Sequence, residues 1–142
     1  MTKDIYLKIV EIVESLKGTG EPLAEVYGYP ESHPTLFPCV IMDSEGGSSN
    51  DISSNSKFIT VNVVIRVLLR QRNASEATLQ RLDIIDAFFA RFYNSDNIDD
   101  LDGVADIVDI PTFTTMFIIG TADQPLFGFD IIITAKKVLR AN

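Results

Sequence analysis

Few residues in this chain could carry chemistry, and they are poorly grouped. There is one histidine, His33, and one cysteine, Cys39. Nucleophilic catalysis by sulfur needs a thiolate and a base within hydrogen-bond reach. His33 lies in the proline-flanked stretch Tyr29-Pro30-Glu31-Ser32-His33-Pro34, which reads as a loop. Cys39 lies in Phe37-Pro38-Cys39-Val40-Ile41-Met42, an apolar run in which a buried, inert thiol is the ordinary outcome. One cysteine also rules out an intramolecular disulfide. A zinc site built from imidazole and thiolate needs more ligands than one of each.

Carboxylates are plentiful, and Asp96, Asp99, Asp100 and Asp102 gather just before Gly103. Setting Gly103 as the turn glycine of a calcium loop puts Asp100 and Asp102 at ligand positions and Asp109 at the last. The first position then falls on Ile98, which cannot ligate, and aspartate is shorter than the usual final glutamate. A solvated acidic turn is the expectation. Gly18-Thr19-Gly20 lacks a third glycine and follows a helical pattern, and Gly46-Gly47 has no lysine after it, so no phosphate-binding loop is read. Asn73-Ala74-Ser75 matches a glycosylation sequon, which matters only on secretion. Arg66, Arg70, Arg72 and Arg81 are scattered and outweighed by acids, but arginine suits ion pairs between subunits. No catalytic, cofactor-binding or metal-binding residue is assigned, and the chain is read as a non-enzyme without cofactor.

The chain has 142 residues, 46% of them hydrophobic, and a formal net charge of −8. One domain spanning residues 1–142, with a real core, is expected at this length. A net negative surface repels phosphate backbones and anionic lipid, so nucleic-acid and membrane binding are disfavoured. The amphipathic start, with charges at Lys8, Glu11 and Glu14, is not a signal peptide, and no run is long enough to span a bilayer. A soluble protein, intracellular when made, is expected.

Periodicity supplies the elements. Ile5, Ile9, Ile12, Val13 and Leu16 form one helical stripe over residues 3–17, stopped by Gly18 and Gly20. A short strand is predicted over 22–29 and another from Phe37 to Met42. Residues 44–56 have almost nothing to bury and read as a mobile loop, the arm of a long hairpin. Residues 57–70 alternate cleanly and would span roughly 45 Å as a strand. Asn73 and Glu76 stand at capping-box spacing before a helix reaching Tyr93. Its core face is read as Leu82, Ile85, Phe89 and Phe92, flanked by Leu79 and Phe88, with Arg81, Asp83, Asp86 and Arg91 toward solvent. An acidic loop at 94–103 precedes strands at 104–110, 112–119 and 126–138. Strands gathered at the end without intervening helices predict an α+β fold: an antiparallel or mixed sheet with two helices on one face.

In order and spacing, nearly the whole chain resembles the tail terminator and head–tail joining family of long-tailed bacteriophages. An amphipathic helix opens it. Tyr29-Pro30 leads to Phe37-Pro38-Cys39-Val40-Ile41, and a glycine- and serine-rich arm follows. Then come the strand Phe58 to Arg70, the helix around Leu82-Asp83-Ile84-Ile85-Asp86-Ala87-Phe88-Phe89, and a strand closing on Phe127 to Val138. The resemblance implies a hexameric ring at the head-proximal end of the tail tube, which stops tube polymerisation and offers the head-docking surface. Its partners would be other copies of itself, the tail tube protein and a head-completion or connector protein. DNA would pass through without sequence-specific binding. The protein would end in the virion tail after assembly in the host cytoplasm. A neck, connector or baseplate subunit is the alternative, and a small enzyme or ligand-binding domain a more distant one. The residues expected at subunit contacts are Glu45, Ser49, Asn50, Asp51, Ile52, Asn55, Phe58, Arg66 and Arg70.

Overall fold

A computed structural model of the chain describes residues 2–31, 33–53, 56–93, 101, 103–109, 111–120 and 123–140, with the backbone alone at 45–48, 50–53, 107 and 140. The chain opens with α1 (Thr2–Glu14), followed by β1 (Glu25–Tyr27), β2 (Cys39–Ser53) and β3 (Ser56–Arg70). After α2 (Ala74–Phe92) come β4 (Ile107–Val108), β5 (Thr112–Phe113), β6 (Phe117–Gly120) and β7 (Pro125–Arg140). The sheet runs β1-β2-β3-β7, with β4, β5 and β6 laid in turn along the outer border of β7. Only β1 with β2 is parallel, and the other pairs are antiparallel, so this is an α+β fold on a mixed sheet.

Period-two alternation gives the sheet its two faces. On β3, Val61, Val63, Ile65, Val67 and Leu69 are buried. Opposite them on β7 stand Ala135, Ile133, Ile131, Phe129 and Phe127, also buried. Ile5, Ile9, Ile12 and Val13 of α1 and Ala77, Ile84, Ile85, Phe88 and Phe92 of α2 join that same core. Both helices therefore cover one face, as the strand order predicts. The other face carries Ile41, Asp43, Val64, Arg66, Asp130 and Ile132, none fully buried.

Several local expectations change. Residues 44–53, read as loop, are strand: β2 continues to Ser53 against β3, with register shifts between Ser44 and Gly46 and between Asp51 and Ser53. The long apolar β3 supplies the hydrogen-bonding border, and a polar segment can join such a border without burying anything itself. The predicted strand over 22–29 contracts to three residues. The strands at 104–110 and 112–119 break into β4, β5 and β6. Pro111 has no N–H to donate, and the chain touches β7 at separate points: Asp106 N–H on Lys136 O, Asp109 N–H on Thr134 O, Thr114 N–H on Asp130 O.

The second helix is rotated from its expected setting. Asn73 caps it as read, its side chain accepting from the Glu76 N–H at 3.0 Å. Leu79 and Leu82, however, are 65% and 46% exposed. Arg81 turns toward the sheet instead, its guanidinium 5.1 Å from the Phe129 ring and 5.5 Å from that of Phe113, donating to Thr114 O at 2.7 Å. A cation can sit among these rings because their faces are electron-rich. Arg91 stays about a third exposed, and it holds the Glu21 carboxylate by two bonds of 2.7 and 2.8 Å and donates to Ser15 O, tying α2 to the turn after α1.

Candidate assembly interface

The sulfur–imidazole pairing is chemically weak. Cys39 is fully buried beside Leu68, and burial, with a smaller contribution from the Glu25 charge, pushes its thiol up to about 11. His33 is exposed on its loop. A thiol titrating there is almost wholly protonated at neutral pH. Alkylation of the folded protein by iodoacetamide at pH 8 is expected to be slower than for a free cysteine by roughly two orders of magnitude. In urea the rate should rise to the free value, which mass spectrometry can follow. Fast labelling without denaturant would show that the sheet does not seal this thiol.

Most of the acidic turn at 94–103 lies outside the described residues. Among the described residues, no three His, Cys, Asp or Glu are grouped to hold a metal ion, and no helix is long and apolar enough to cross a membrane. The clefts are open. One of about 640 Å³ is lined by Asp4, Leu7, Lys8, Glu11, Val104 and Lys137, a mixture of signs without a convergent group.

The features that stand out belong to surfaces. Beyond Val61 and Ala135, where the buried core ends, three strands carry on together: β2, β3 and β7 reach Ser53, Ser56 and Arg140. The expected hairpin arm is thus a three-stranded blade. Most of the residues expected at subunit contacts fall on it. Ser49 is exposed and opposite Ile59; Asn50 is opposite Phe58, which is itself half-buried opposite Val138; Asp51 is opposite Lys57. Glu45 and Ile52 sit at the two register shifts, and Asn55 lies outside the described residues.

Arg66 and Arg70 are placed elsewhere, on the open face toward the other end of β3. Arg66 holds Asp130 through two bonds of 2.9 and 3.2 Å and lies 5.1 Å from the Phe117 ring. The bond to Asp130 holds its guanidinium in the charged form, raising its pKa. Arg70 lies 4.4 Å over Phe37. Phe117 fits because Gly128 opposite has no side chain: a Cβ there would meet the ring at 2.5 Å.

Sequence reasoning missed exposed apolar residues on β5 and β6, along the outer border of β7. Ile118 and Ile119 of β6 are 69% and 43% exposed, and Phe113, edge-on to Phe89 at 6.1 Å, is also exposed. The strand signal was legible there; which side would remain uncovered was not.

No protein-family model matches the chain, and neither does any curated protein. Among solved structures it is similar to a chain described as "Virion of native gene transfer agent (GTA) particle". The likeness covers 95% of each chain, at 12% identity and a TM-score of 0.46.

Proposed function

We propose that this chain is a structural subunit of a phage-type tail: a terminator whose copies form a ring at the head-proximal end of the tube, stop its polymerisation and present the surface that docks the filled head. The observation that carries the reading is the blade: among the described residues no strand pairs with the outer border of β2 beyond Ile41 or with that of β7 beyond Lys136, where only the Asp106 carboxylate reaches the Val138 N–H. A monomer left with such borders is exposed to uncontrolled pairing, and closing a ring removes them. The exposed apolar residues Ile118, Ile119 and Phe113 on another flank offer a second kind of contact, suited to a neighbour or to the tube. A net charge of −8 suits the wall of a conduit along which DNA must travel without sticking. The order of elements quoted above from the tail terminator family supports the same assignment and is the source of the hexameric stoichiometry.

The test is electron microscopy of tails assembled with this protein deleted. Tubes of uncontrolled length, or tubes of normal length without heads, are the expected result. Tubes of normal length joined to heads would overturn the reading.

A further inference from the structure

The two borders of the blade run in the same direction, since β2 and β7 are each antiparallel to β3. Outside β2, β1 stops opposite Ile41, and among the described residues no strand borders positions 43–53. Outside β7, β4 stops opposite Lys136; the Asp106 carboxylate then accepts the Val138 N–H at 2.6 Å, and among the described residues no strand borders positions 137–140. The borders differ in charge. Positions 43–53 hold Asp43, Glu45 and Asp51 and no base. Positions 136–140 hold Lys136, Lys137 and Arg140 and no acid, in a chain with only 12 bases against 20 acids. Asp106, 3.8 Å from Lys137, offsets this tract in part, as Lys57, opposite Asp51 in the ladder, offsets the acidic one in part.

Copies could join these borders in three ways. A β2 edge on a β2 edge brings two net-negative tracts together, and a β7 edge on a β7 edge two net-positive ones. Only β2 on β7 brings opposite charges together, and strand pairing favours opposite charges across the ladder. We infer that the β2 border of one copy pairs with the β7 end of the next, extending the sheet across the boundary. This rests on the assembly reading and names the surface that carries it. The two surfaces differ, so the contact is heterologous and repeats head to tail, as a ring requires. The register shift at Ser44 and Gly46 blunts the near part of the β2 border, leaving the stretch from Gly47 outward for pairing; Asp51 lies in that stretch, and Asp43 and Glu45 add their negative charge just before it.

Single cysteines test the inference, with the unmodified chain, whose one thiol is the buried Cys39, as the control. Ser49→Cys lies on the β2 border and Leu139→Cys at the β7 end, on the same face by register. The two variants are mixed at high concentration and treated with a short bismaleimide. The expected result is a covalent dimer in the mixture, almost none from either variant alone, and a ladder of higher multimers from the double variant. Arg140→Glu in the Leu139→Cys chain should lower the yield about fivefold, and Asp51→Lys in its partner should restore it. Dimers from either variant alone, at a yield equal to the mixture, would overturn the pairing. So would a mixture without links, whether sedimentation shows the unmodified chain self-associating or monomeric. In those cases the tail-terminator reading still stands or falls by the microscopy of deleted tails.

Discussion

Replacing Val63 with lysine is expected to leave no folded protein, whereas the same change at the next residue, Val64→Lys, should leave the fold intact. Val63 is fully buried on the central strand, opposite Ile133 on one side and facing the helices. A lysine there must bury its ammonium unpaired or deprotonate, and the effective penalty is several kcal/mol against a total stability of about 5–15 kcal/mol. Val63 itself has no exposed surface, so the longer charged side chain must displace packed core atoms. Val64 is on the open face, opposite Asp43 and half-buried. There the charge remains solvated beside a carboxylate, and the cost should stay below about 1 kcal/mol. Far-UV circular dichroism of soluble protein and urea melts check both variants. If Val64→Lys proves as damaging as Val63→Lys, the two-faced sheet is wrong.

Phe129→Ala should cost about 3–5 kcal/mol and lower the melting temperature by roughly 10–20 °C. The ring is fully buried in the middle of β7, opposite Val67. Its loss leaves a cavity under α2 and removes one of the two rings that face the Arg81 guanidinium, whose Nε has no hydrogen-bond partner among the described residues. Part of the effect should therefore depend on Arg81. In an Arg81→Met background, which trades the cation for an apolar chain of similar reach, the penalty of Phe129→Ala is expected to shrink by about 0.5–1 kcal/mol. Urea midpoints for the four combinations give the coupling. A penalty below 1 kcal/mol for Phe129→Ala alone would mean that Phe129 does not sit in a packed core.

The amino-acid sequence by itself determined the two helices, the alternation of β3 and β7, the cap at Asn73 and the α+β class. Each of these is written in a local period or a local hydrogen bond, which neighbours in the chain can satisfy. It also made His33 and Cys39 an unpromising nucleophile–base pair, one in a proline-flanked loop and the other in an apolar run. Only the tertiary structure decided which residues meet. The polar stretch Ser44 to Ser53 carries no strand signal, yet it is strand, because β3 provides a ladder for its backbone. The rotation of α2 was hidden because Leu79, Leu82 and Arg81 all fit an amphipathic helix. The rings of Phe129 and Phe113 drew Arg81 inward, and the two leucines turned out. The candidate interface was legible in part: the arm was visible as a break in composition. That β7 runs beside it, and that an acidic border and a basic one flank the same blade, could not be read. Strand neighbours far apart in sequence are chosen by burial of the whole core and not by the residues along either border.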